Sequence, residues 1–126
     1  MKLTLENRGA NNVVRSYSPS SINIGGEVLG TSSIVSADQI LRDWPPRTVE
    51  QLDLSHFEPI VALRPEIVLL GTGTQQRFPP ANLVAALMTR GIGFEAMDTG
   101  AACRTYNVLV SEDRRAVLAI LIDSEQ

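Results

Sequence analysis

The sequence predicts an α/β fold with a β-rich N-terminal extension, and three observations carry that prediction. Two continuous apolar runs, EIVLLG (66–71) and AVLAILI (116–122), read as strands buried on both faces, as in a parallel sheet. Between them, PPANLVAALMTRG (79–91) and DTGAACRTYNVLVSEDRR (98–115) carry apolar residues at helical spacing, separated by the short run IGFEAM (92–97). Residues 1 to about 50 instead hold short alternating or β-branched pieces cut by turn residues.

In chain order, VVRSYS (13–18) alternates, and SINIGGEV (21–28) sets a Gly-Gly turn between two short runs. GTSSIVSA (30–37) is rich in β-branched residues. This spacing predicts hairpins or a meander and leaves the strand pairing open. ILRDWPPRTV (40–49) stops regular structure at Pro45-Pro46, with Trp44 beside them as a packing anchor. LSHFEPIVAL (54–63) predicts a short helix from near Ser55, with Pro59 in the tolerant first turn and Phe57, Ile60 and Val61 on one face.

After the strand at 66–71, prolines open the 79–91 helix and Gly91 ends it, with Leu83, Val84, Leu87 and Met88 as its apolar stripe. A strand follows at 92–97. The 98–115 helix takes Asp98 or Thr99 as N-cap and turns Ala102, Tyr106, Leu109 and Val110 inward. The last strand, 116–122, is compatible with either direction. Connections this short imply right-handed crossovers and a central sheet covered by helices. The whole chain, 1–126, reads as a single α/β domain, β-rich over 1–50 and βα over 51–126.

Composition narrows the function. The chain of 126 residues is 44% hydrophobic and 20% charged, ordinary values for a globular protein long enough to bury a core. A net charge of -3, with eleven scattered basic residues, argues against a nucleic-acid binder. One cysteine, Cys103, allows no internal disulfide and suits a reducing compartment. With a single histidine, His56, no zinc or iron–sulfur ligand set is available. MKLTLENRGANN lacks the marks of a signal or transit peptide, and no apolar run approaches a membrane span. The expectation is a cytoplasmic protein without membrane insertion.

Two loops are the candidate site. Gly71-Thr72-Gly73 follows a strand at its carboxyl end, where open α/β sheets bind ligands. The dinucleotide fingerprint needs a third glycine where Gln76 stands, and the Walker loop needs a Gly-Lys ending that is missing. Prolines also remove donors from the start of the following helix. The competing reading is a structural turn with tight packing. If strands 66–71 and 92–97 are parallel neighbours, Gly71, Thr72, Gly73, Thr74, Gln75, Arg77, Asp98, Thr99 and Arg104 surround one cleft. Its two arginines then favour a carboxylate or phosphate; the bland alternative is solvation, or pairing with Asp98 or Glu95. Cys103 reads as a packed thiol, His56 as a surface or capping residue, and no acid/base pair, triad, metal site or cofactor site emerges.

The second half carries a more specific signal. The residues Gly71-Thr72-Gly73, Pro79, Gly91-Ile92, Met97-Asp98-Thr99, Ala101-Ala102, Arg104-Thr105-Tyr106-Asn107 and Arg114 form a pattern centred on DTGAACRTYNVL. In this pattern the chain resembles the small uncharacterised α/β domain family that includes the mitochondrial assembly factor of respiratory complex I and an adipogenesis-associated cytosolic protein. The resemblance is loose over 1–60 and close thereafter. It implies a three-layer α/β domain with a mixed central sheet and an N-terminal β-hairpin extension, and no established activity or cofactor. The eukaryotic relative is a protein-binding assembly factor, so the resemblance implies protein partners in a membrane-associated complex. A small anionic-ligand binder or unrecognised enzyme using the 71–77 and 98–104 loops, and a homo-oligomer, are the other readings.

Overall fold

A computed structural model describes residues 12–123; most of the N-terminal stretch read above for targeting signals lies outside them. The core is a mixed five-stranded sheet in the order β5-β4-β8-β6-β7, formed by β4 (Ser33–Val35), β5 (Ile40–Leu41), β6 (Ile67–Gly71), β7 (Gly93–Met97) and β8 (Ala116–Ile120). Strand β6 runs parallel to both β7 and β8, whereas β4 is antiparallel to β8 and to β5. The direction that the sequence left open for the last strand is therefore parallel to β6.

Alternate residues of the sheet serve two separate cores. Val68, Leu70, Val117 and Ala119 face one side, against Trp44, Phe57, Ile60, Leu83 and Leu87. Leu69, Leu118 and Ile120 face the other, against Val14, Ile22, Ala102, Tyr106 and Val110. All five residues of β8 are buried, which explains why AVLAI reads as a continuous apolar run. On the first side lie α1 (Glu58–Val61), preceded by a 3-10 turn over Leu54–Phe57, and α2 (Ala81–Thr89). On the second lie α3 (Thr99–Ser111) and a three-stranded antiparallel sheet of β1 (Val14–Ser18), β2 (Ser21–Ile24) and β3 (Glu27–Leu29). The β-rich extension is this small sheet, turning through Gly25 and Gly26 at φ 61° and 96°, as a tight hairpin requires.

The structure revises four boundaries. β4 leaves the N-terminal meander and pairs with β8 in the main sheet. The 54–63 helix is a 3-10 turn and a single α-turn, because Asp53 and His56 cap the start reciprocally and Arg64 ends it at φ 57°. The helix from 98 ends at Ser111, where Asp113 adopts φ 62° and residues 112–115 swing round to start β8. Met88 is 57% exposed rather than part of the buried stripe, since α2 packs on the edge strand β7 and covers only Leu83 and Leu87 fully. Trp44 is an anchor as expected: it is 5% exposed, its Nε1 donates to the His56 carbonyl at 2.9 Å, and Phe57 meets it edge-on.

The small sheet is fastened to α3 by polar side chains. Asn107 grips the backbone of Val14 from both sides, accepting its N–H at 2.9 Å and donating to its carbonyl at 2.8 Å. One amide side chain thus stands in for a neighbouring strand. Tyr106 donates to the Asn12 carbonyl at 2.7 Å. Removing the clamp leaves Val14 with an unpaired N–H and C=O in a partly buried place. Asn107→Ala should therefore cost about 1–3 kcal/mol in chemical denaturation, with faster amide exchange at Val14 than in β6 or β8.

Candidate functional site

Strands β6 and β7 end side by side, with Gly71 opposite Met97, and β8 ends beside them, with Ile120 opposite Gly71. Their carboxyl ends open on one edge, so the loop after β6 and the start of α3 meet there. They are laced together. Thr72 N–H donates to Met97 O at 2.9 Å, Gly73 N–H to Thr99 Oγ1 at 2.9 Å, and Thr99 N–H back to Gly73 O at 2.8 Å. Thr72 Oγ1 donates to Gln75 O at 2.6 Å, with Met97 O at 3.1 Å as its other acceptor, and receives Arg77 N–H at 3.1 Å. Gln76 Nε2 reaches Ala96 O at 2.8 Å, on the edge strand.

This lacing uses several of the donors that a phosphate cradle would need. The backbone donors of Thr72, Gly73, Arg77 and Thr99 are all spent inside the protein, and Asp98, the N-cap of α3, takes Ala101 N–H at 2.9 Å. The glycines have packing reasons. A Cβ on Gly71 would lie 2.7 Å from Ile120 Cδ1 and 3.3 Å from Thr99 Cα, so nothing larger fits between β8 and α3. Gly73 holds φ 100°, which reverses the chain onto Thr99.

The nine sequence-predicted residues lie along this edge without sharing one hollow. Gly73 and Thr74 form a ridge that lines two adjoining concavities. One, of about 300 Å³, holds Asp98, Thr99 and Arg104 together with Tyr17, Ile22 and Ile120. The other, of about 350 Å³, holds Thr72, Gln75 and Arg77 with Arg47, Glu50 and Asp123. Arg77 and Arg104 are thus on opposite sides of the ridge, and Gly71 lies buried beneath it. Among the described residues neither arginine pairs with Asp98 or Glu95; ion pairs elsewhere include Arg42 with Glu27 and Arg114 with Glu66. Arg104 Nη1 instead donates to Tyr17 Oη at 2.8 Å.

Sequence reasoning missed Tyr17, Ile22 and Arg47, because they arrive from the small sheet and from the Pro45-Pro46 segment across long stretches of chain. Two groups with latent chemistry are spoken for. His56 Nδ1 accepts Asp53 N–H at 3.1 Å, which makes it a capping residue. Cys103 is buried, and burial pushes its thiol up to about 12 against the weaker opposing pull of Arg104.

With the geometry described, comparison with known proteins adds kinship. A family model described as "Protein of unknown function (DUF498/DUF598)" matches residues 14–122. A "13 kDa major membrane protein" of Francisella tularensis subsp. holarctica is 34% identical over 90 residues, 70% of this chain and 72% of that one. The zebrafish (Danio rerio) protein named NADH dehydrogenase (ubiquinone) 1 alpha subcomplex assembly factor 3 is 33% identical over 114 residues, 89% of this chain and 65% of its own length. The chain therefore spans less than two thirds of that relative. Among solved structures, the NMR structure of a Xanthomonas campestris protein superposes with a TM-score of 0.83 at 39% identity, covering 97% of this chain and 92% of that one.

Two outcomes test this account of the site. Gly71→Ala should lower stability by about 1–3 kcal/mol in urea unfolding, because Ile120 and the α3 backbone must both shift, whereas Thr74→Ala, exposed on the ridge, should be within about 0.5 kcal/mol of the parent. Cys103 should resist iodoacetamide at pH 8 in the folded protein and react promptly in denaturant; fast labelling without denaturant would contradict the packing described.

Proposed function

We propose that this chain, which belongs to the DUF498/DUF598 family of proteins of unknown function, is a non-catalytic binding module that acts as an assembly or chaperone-like factor for a membrane or respiratory complex. The observation that carries the reading is the zebrafish relative, whose name makes it an assembly factor and whose likeness runs over 89% of this chain. The Francisella relative, named a major membrane protein, points to the same cellular surroundings. No helix among the described residues is long and apolar enough to cross a membrane.

The site geometry supports binding over catalysis. The backbone donors of Thr72, Gly73 and Arg77 and the Asp98 cap of α3 are engaged in holding the fold, and the thiol is buried. A partner surface is offered nearby instead. Phe78 follows Arg77 on the same loop and is 76% exposed, the most exposed large apolar residue among those described. A single exposed aromatic is ordinary, but beside an arginine it has the make-up of an interface anchor.

The test is affinity purification of the tagged full chain at native expression, after mild solubilisation of membranes. Recovery of a defined set of membrane-complex subunits, reduced at least about tenfold by Phe78→Glu with the melting temperature unchanged, is the expected outcome. A clean pull-down, or a set of subunits indifferent to Phe78, would overturn the reading.

A further inference from the structure

We propose that the 300 Å³ cleft between α3 and the small sheet binds a short-chain aliphatic monocarboxylate, held by Arg104 and Tyr17 at its charged end. This goes beyond the assembly reading and stands on different residues.

The wall of the cleft on the Tyr17 side gathers hydrogen-bond donors. Arg104 has no acidic partner among the described residues, and its recorded hydrogen bond goes to Tyr17 Oη at 2.8 Å. Because Tyr17 Oη accepts that bond, its own O–H remains to donate. Thr99 Oγ1 likewise accepts from Gly73 N–H at 2.9 Å, and its hydroxyl hydrogen reaches no acceptor among the described residues. One guanidinium and two hydroxyl donors at the wall of one hollow match the two oxygens of a carboxylate.

The rest of the lining sets the remainder of the ligand. Ile22, Ile120 and Ile122 form an apolar floor, and Pro19 stands at the rim. The floor residues are almost wholly covered by the protein, so they offer a ligand little apolar surface. A volume of about 300 Å³ is at the small end of ligand pockets. Both limits favour a short chain. The charge balance caps the ligand at one negative charge: Arg104 is the one cation in the lining and Asp98 the one carboxylate, with an oxygen of Asp98 already taken by Ala101 N–H, so the lining has no net positive charge to spare and the carboxylate must be held by Arg104 directly. A phosphate dianion would meet Asp98 with only one compensating charge.

Position 100 is what gives Tyr17 its place. A Cβ on Gly100 would lie 2.7 Å from Tyr17 Oη and 3.0 Å from its ring, so the phenol occupies the space that a side chain there would fill. The donor pair is therefore seated by the first turn of α3.

The experiment is titration of the isotope-labelled full chain with hexanoate, followed by amide chemical shifts and by calorimetry, with hexan-1-ol and inorganic phosphate as comparison probes. Saturable hexanoate shifts at Tyr17, Gly73, Thr99 and Arg104 are expected, with both comparison probes at least about tenfold weaker. Arg104→Gln should weaken hexanoate about ten- to hundredfold, the worth of a charge-assisted hydrogen bond, with little change in the melting temperature because its bond to Tyr17 is exposed. Arg77→Gln, across the ridge, should leave binding as it was. No saturation, equal binding of hexan-1-ol, or equal losses from the two arginine variants would each overturn the proposal. Partner capture depends on Phe78, outside this cleft, so failure of one reading is distinguishable from failure of the other.

Discussion

Strands β6 and β8 are apolar on both faces, and the architecture follows from that constraint. A sheet with one buried face needs one cover, but this one needs two, because Val68 and Leu70 point one way and Leu69 the other. Burying each such side chain is worth about 1.5–3 kcal/mol, whereas a hydrogen bond such as Tyr106 to Asn12 nets about 0.5–1.5 kcal/mol. Layering is therefore decided by apolar burial, and polar contacts adjust how the layers sit. It also follows that polar groups gather at strand ends, which is where both concavities beside the Gly73–Thr74 ridge are found.

The second half of the fold was legible for the same reason. Doubly buried strands read as continuous apolar runs, and Asp98 sits as a recognisable N-cap, so β6, β7, β8, α2 and α3 follow from local pattern. What failed depended on distant partners. The segment Ser33–Val35 carries no mark that sends it to β8 rather than to the neighbouring hairpin. Asp113 gives only a weak signal for a left-handed turn, since glycine is the usual mark of a helix end and aspartate adopts that conformation less readily. The meeting of the 71–77 and 98–104 loops was readable from strand ends, but the ridge that separates Arg77 from Arg104 was not.

The string DTGAACRTYNVL, which carries the family resemblance, takes on a physical meaning in this light. Asp98 caps the helix, Thr99 ties the Gly73 turn, and Gly100 makes room for Tyr17. Arg104, Tyr106 and Asn107 then reach Tyr17, Asn12 and Val14 in turn. Four of its residues, Thr99, Arg104, Tyr106 and Asn107, thus attach the opposite loop, or the small sheet and the segment leading into it, to α3. In this chain the string does largely structural work, fastening parts of one fold to the helix that bears it.

The seat of Tyr17 over Gly100 reaches beyond this one chain. Most glycines are retained for what their own backbone must do, but Gly100 lies in a regular helix, where alanine would ordinarily be preferred. Its reason is a neighbour that arrives from the opposite end of the sequence. The two positions are coupled in this chain: a side chain at the helix start would push the phenol of the first strand out of its seat and away from Arg104. Correlated replacement at these two sites would carry the imprint of the small sheet's docking through lineages whose overall sequences have drifted apart.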